Sequence, residues 1–217
     1  RGTAILVASP DAPFDDYAGM LEYIEANPGE LRVGSTGPGG LPSVITAMIG
    51  AVEGELDVIT VPYDGDGPAL TALQGGAIDV MPAVLGASIE FIRAGNLKPL
   101  AIMANEPSEK LPDVPAITTF NDAYYQYMPW GPFFGVFAPK DTPEDVVASL
   151  TDAYSEGAQN ADFANLMNDR GYTMMNISGQ EAQDFLDGWQ QVTTWLLQDA
   201  GLTRTSPEDF GIARPAK

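Results

Sequence analysis

From Ala4 to Met103 short apolar runs rich in β-formers alternate with stretches of helical spacing. No other feature constrains the fold as tightly. Ala4 to Ala8, the strand at 31–35, Asp57 to Val61, Ala77 to Met81 and Lys98 to Met103 read as strands. Between them lie helices over Asp15 to Ala26, Val44 to Val52, the segment entered at Pro68, and Leu85 to Ala94. The first carries Tyr17, Met20, Leu21 and Ile24 at spacings of three and four and stops at Asn27-Pro28-Gly29. The others end at Gly75-Gly76 and at Gly95. Strictly alternating strand and helix predicts an α/β layer around a largely parallel sheet.

Two of the strand-to-helix connections are rich in glycine. Gly34-Ser35-Thr36-Gly37-Pro38-Gly39-Gly40-Leu41-Pro42-Ser43 follows the second strand, and Asp64-Gly65-Asp66-Gly67-Pro68 follows the third. Ligands of open α/β sheets sit outside the carboxyl ends of the strands, where both turns are expected. Glycine lets the backbone reach φ > 0 and lets a ligand approach closely. The amides that open the next helix favour an anion there. A plain connection would need the same glycines. The Walker phosphate loop is excluded, because no lysine follows Gly39-Gly40, and Pro42 stands where a dinucleotide loop needs its third glycine. The Asp64-Gly65-Asp66-Gly67 letters suggest calcium, but Pro68 occupies a ligand position and the closing glutamate is missing, so this stretch reads as a turn.

Composition removes whole classes of function. The chain has 30 acidic and 10 basic residues, a net charge of -20 and no histidine or cysteine. Such a surface repels nucleic acid and anionic membranes. Histidine triads, thiol nucleophiles, disulfides and the usual zinc ligands are excluded. No catalytic residue, metal or cofactor is expected, and an enzyme built on paired carboxylates, or on a metal at Asp64 and Asp66, has no support in the pattern. No apolar run approaches the ~20 residues of a membrane span. The abrupt start at Arg1-Gly2-Thr3, with no visible signal peptide, suggests a processed or truncated product.

Beyond Met103 the pattern changes. Asn105 to Asn121 reads as a long surface connection rich in proline. Tyr124, Tyr125, Tyr127 and Trp130 crowd one short stretch. Packing beneath that connection is the preferred reading, and a cleft wall the alternative. Phe133 to Ala138 reads as a strand, and Tyr172 to Asn176 as a second candidate. Helices are predicted from Thr142-Pro143 to about Gln159, from Ala161 to Arg170, and from a capping box at Ser178-Gly179-Gln180-Glu181 to about Ala200. Phe185, Leu186, Trp189, Val192 and Leu196 form a stripe on the last helix and read as core. The boundary is set at residue 130, with an α/β lobe over 1–130 and a return into another lobe over 131–217.

Several stretches jointly resemble one family. They are Ala26-Asn27-Pro28-Gly29-Glu30-Leu31, Gly34 to Gly39, Val61-Pro62-Tyr63-Asp64-Gly65 with Pro68-Ala69-Leu70, Gly76-Ala77-Ile78-Asp79, Ile92 to Leu97, and Leu111-Pro112-Asp113-Val114-Pro115. Their order and spacing over about residues 4–202 are similar to the solute-binding receptors of tripartite tricarboxylate transporters, the Bug receptors. The resemblance implies a periplasmic type II binding protein of the Venus-flytrap kind, with one lobe complete here and the other represented mainly by its C-terminal part, since family members carry a further N-terminal segment. It implies an exported monomer that binds a small organic acid and hands it to membrane permease subunits. A ligand-sensing module that signals to a sensor kinase is the alternative. It further implies a carboxylate site in which Ser35 and Thr36 offer hydroxyls and Gly37, Gly39 and Gly40 offer amides. Ser43 stands where the family often has a histidine. Tyr63, Gly65, Gly67 and Ala69 form the second turn, and Asp79, at a strand end, orients the loop. With no basic residue in either turn, neutral preorganised donors are the means available for holding an anion.

Overall fold

A computed structural model describes residues 1–215. The strands are β1 (Ala4–Ala8), β2 (Arg32–Ser35), β3 (Ile59–Pro62), β4 (Val80–Val84) and β5 (Lys98–Ile102). The helices are α1 (Tyr17–Ala26), α2 (Leu41–Glu53), α3 (Asp66–Gln74), α4 (Leu85–Arg93), α5 (Glu144–Ala158), α6 (Ala161–Asp169) and α7 (Gly179–Asp199). The strands form one sheet in the order β3-β2-β4-β1-β5.

β1 shows why this half is three layers thick. All five of its residues are buried. Ala4, Leu6 and Ala8 join a core with α1, α2 and the end of α7, while Ile5 and Val7 join one with α3 and α4. Side chains alternate across a strand, so a strand buried at every position is covered on both faces. Tyr17 and Tyr124 meet in the first core with their hydroxyls 2.6 Å apart, and Tyr17 donates to Glu53 at 3.4 Å. Burial raises both phenols far above their ordinary range, so this is a neutral hydrogen-bonded tie.

The order of elements is as expected, but the sheet is mixed rather than largely parallel. β2 runs parallel to β3 and β4, whereas β1 runs antiparallel to both β4 and β5. A run that is apolar throughout carries no information about strand direction. The helix expected from Val44 begins three residues earlier, with Pro42 in its first turn, where a missing N–H costs nothing. The strand expected to stop at Pro82 continues through it, with Pro82 in register with Leu6.

The second half departs further. Phe133 to Ala138 is not a strand, and Phe134, Val136 and Phe137 are 66%, 72% and 69% exposed. The Gly2 amide donates to the Pro132 carbonyl at 2.7 Å, but no ladder follows among the described residues. A strand needs a partner to satisfy its backbone. Tyr172 to Asn176 shrinks to an isolated bridge, Gly2 with Tyr172. Ser178 caps α7 without a side-chain hydrogen bond, so the capping box is not formed. On α7 Leu196 is buried as expected, while Phe185, Leu186, Trp189 and Val192 are only half-buried.

Candidate functional site

β2 and β3 are neighbouring parallel strands, with Ser35 paired to Pro62, so the turns that follow them emerge side by side. The Tyr63 amide donates to the Ser35 carbonyl at 2.8 Å and ties the two turns at their roots. Gly37 (φ 104°), Gly39 (φ 75°) and Gly65 (φ 103°) all take the left-handed region that disfavours other residues. A side chain built on any of the three would meet nothing within 4 Å, so space lies open beside them.

Both helices start without a side-chain cap, α2 at Gly40 and α3 at Gly65. The first amides of a helix lack intrahelical partners. Some loop amides are occupied: Gly37 donates to Ser35 Oγ at 3.2 Å and Gly40 to the Gly37 carbonyl at 3.2 Å. The amides of Gly39, Leu41 and Ser43 at the first turn, and of Gly65, Asp66 and Gly67 at the second, have no partner among the described residues. Two positive helix ends with unfilled donors can hold a carboxylate by backbone alone.

The hydroxyls divide differently from the expectation. Ser43 Oγ donates to the Gly37 carbonyl at 2.9 Å and lies 3.3 Å from Ser35 Oγ, and Ser35 is buried. These two serines brace the loop. The hydroxyl left uncommitted belongs to Thr36, which folds against Gly40. In the second turn Gly67 accepts a hydrogen bond from Thr71 Oγ1 at 3.0 Å through its carbonyl, leaving its amide free. Ala69 is fully buried and its amide reaches back to Gly65 at 3.4 Å, so it packs rather than faces a ligand.

Asp79 stands apart from the rest. It precedes β4 and meets Arg32 at the start of β2, at the end of the sheet opposite the glycine turns. Its carboxylate accepts from the Arg32 amide at 2.8 Å, from Nε at 2.9 Å and from a terminal guanidinium nitrogen at 2.5 Å. This bonding raises the Arg32 pKa. Asp79 thus acts on the strand rather than on the site, because strand length separates the two ends. Asp66, at the first turn of α3, is the acidic group half-buried beside the free amides, and desolvation raises its pKa. Among the described residues no cluster of acidic side chains is arranged to hold a metal.

A cleft of about 200 Å³ opens against the first turn. Its walls are Gly39, Leu41, Trp130, Pro132, Phe133 and Trp189. In the aromatic stretch Tyr124 and Trp130 are both buried in the core, and Trp130 also lines the cleft. Trp189 and Phe133 were not expected at the site. An aromatic on a helical stripe carries the same spacing whether it ends in a core or in a cleft.

The family model described as the tripartite tricarboxylate transporter family receptor matches residues 1–202. The chain belongs to this receptor family. The family is a class of binding proteins and not of enzymes. Protein BugT of Bordetella pertussis is 28% identical over 201 residues, covering 91% of this chain and 59% of its own length. MatC from Rhodopseudomonas palustris, solved with bound malate, is 26% identical, with a TM-score of 0.73 over 88% of this chain and 66% of that one. A second R. palustris protein, solved with adipate, shares the fold with a TM-score of 0.80 at 23% identity, over 93% of this chain and 66% of its own. The chain thus spans about three fifths of the length of BugT and of a second Bordetella pertussis relative. Among the described residues, no helix is long and apolar enough to cross a membrane.

Proposed function

We propose that this chain is the ligand-capturing part of a periplasmic receptor that takes up a small organic carboxylate and delivers it to the permease of a tripartite tricarboxylate transporter. The observation that carries the reading is the pair of uncapped helix starts at the ends of adjacent parallel strands, one opened by Gly65 at positive φ and the other preceded by Gly37 and Gly39 at positive φ. Neither turn contains a basic residue, so the ligand carboxylate is held by amides and by the Thr36 hydroxyl. The malate of MatC and the adipate of the second R. palustris protein support a small carboxylate as the ligand class. Residues 1–130 form the lobe that carries the site, residues 131–217 belong to a second lobe, and the receptor acts as a monomer without a cofactor.

A thermal-shift screen with malate, adipate and benzoate, each beside its neutral amide, tests this reading. A ligand that binds only the folded state adds about 2.7 kcal/mol of stability at 100 times its dissociation constant. A shift with an acid but not with its amide is expected. Gly39→Ala should reduce that shift, because the left-handed backbone at Gly39 sets the amide directions and costs roughly 1 kcal/mol with a side chain present. Equal shifts with acids and amides would defeat the proposal.

A further inference from the structure

The cleft beside the first glycine turn is polar at one end only. Gly39 and Leu41 bring the free amides of that turn, and the other four lining residues are Trp130, Pro132, Phe133 and Trp189. None of the six carries a charge. The two indole N–H groups are already committed. Trp130 Nε1 donates to Thr193 Oγ1 at 2.9 Å, and Trp189 Nε1 donates to the Gly131 carbonyl at 3.0 Å. The rings therefore present carbon to the cleft. They are also fixed against one another: Trp130 stacks on Trp189 with centroids 6.0 Å apart, and Phe133 meets Trp189 edge-on at 5.1 Å and Phe185 at 5.4 Å.

This asymmetry constrains the ligand. A second carboxylate carried into the aromatic end would find no charged partner among the six lining residues, and any water it gave up there would be costly. A flat apolar body in the same place would cover aromatic surface at little ordering cost, because the wall is held by its own hydrogen bonds. We propose that this cleft selects a carboxylate attached to an aromatic ring over a short aliphatic polyacid, with Phe133 and Trp189 as the specificity-determining residues. The inference rests on the receptor reading above and names the ligand class of the same site.

Titration calorimetry on the 217-residue chain, with benzoate, cyclohexanecarboxylate, adipate and malate as probes, provides the test. Benzoate is expected to bind about tenfold more tightly than adipate or malate, and more tightly than cyclohexanecarboxylate, since offset or edge-on ring contacts add to area burial. Benzoate should also perturb tryptophan emission. Phe133→Leu keeps the apolar volume but removes the ring. It should weaken benzoate about fivefold and leave malate unchanged, with an unchanged malate affinity showing that the variant is folded. Trp189→Phe should act in the same direction. Adipate or malate binding as tightly as benzoate, or equal losses for benzoate and malate in Phe133→Leu, would overturn the aromatic assignment and leave the receptor reading standing. Failure of all four acids to bind would overturn both.

Discussion

Helices α3 and α6 are both nine residues long, and both carry apolar side chains at helical spacing. In α3 Ala69, Leu70 and Leu73 are buried beneath the sheet. In α6 no residue is buried, and Phe163 and Leu166 are 43% and 47% exposed. Helix α5 behaves like α6, with Val146, Val147 and Leu150 exposed and Ala158 its one buried residue. Periodicity thus states which face a helix would bury, and the sheet decides whether it is buried. The glycine turns belong to the region with the sheet, while Phe133 and Trp189 reach the site from the region without one.

Paired truncations would break this comparison most sharply. Leu73→Ala removes a fully buried side chain and should cost about 2–5 kcal/mol in a denaturant titration. Leu166→Ala should change stability by about 0.5 kcal/mol or less. Similar losses at both sites would mean that α6 is as well packed in solution as α3. A smaller effect is expected where the regions meet. A Cβ at Gly131 would collide with the Gly2 carbonyl, so Gly131→Ala should cost about 1–3 kcal/mol. It should also weaken ligand binding, because Gly131 holds the Trp189 indole. An unchanged melting temperature would show that the two regions are not joined through this contact.

The smallest effect concerns Asp66, which tests whether local charge at the sheet-borne turns matters to the ligand. Burial raises its pKa, so protonation is easier in the folded chain than in the unfolded one. The resulting stability cost is absent below the unfolded value of about 3.9, and develops as pH rises from there through the folded value. Carboxylate affinity should accordingly increase as pH falls through that folded value, provided the ligand stays ionised. Asp66→Asn should raise affinity about twofold to threefold at neutral pH and flatten the profile. Calorimetry at several pH values would read both changes, and an unchanged profile would remove Asp66 from the site.

The order of strands and helices from Ala4 to Met103 was legible because each run is bounded by its own glycine or proline signals, even at β3, whose residues are mostly exposed. The direction of β1 was not, since five consecutive buried residues look alike from either end. Phe133 to Ala138 has strand composition but lacks a partner among the described residues, and pairing is a property of the fold rather than of the segment. At the site, Gly37, Gly39 and Gly65 were legible because positive φ selects glycine. The roles of Ser35 and Ser43 were not, because a hydroxyl that braces a loop and one that faces a ligand have the same sequence context. Asp79 was misplaced for a related reason: a strand end can be either end.

The Asp79–Arg32 pair gives β2 a fixed root. Three hydrogen bonds anchor one residue of a four-residue strand whose far tip becomes the glycine turn. Such a strand behaves as a short cantilever, clamped at its base and loaded at its tip. Under the proposed function, a ligand settling on the tip would meet amides whose spacing was set before it arrived, so little of its binding free energy would go into ordering the strand. Loosening the clamp should therefore appear first as weaker capture of the ligand at the opposite end of β2, out of contact with the altered side chain.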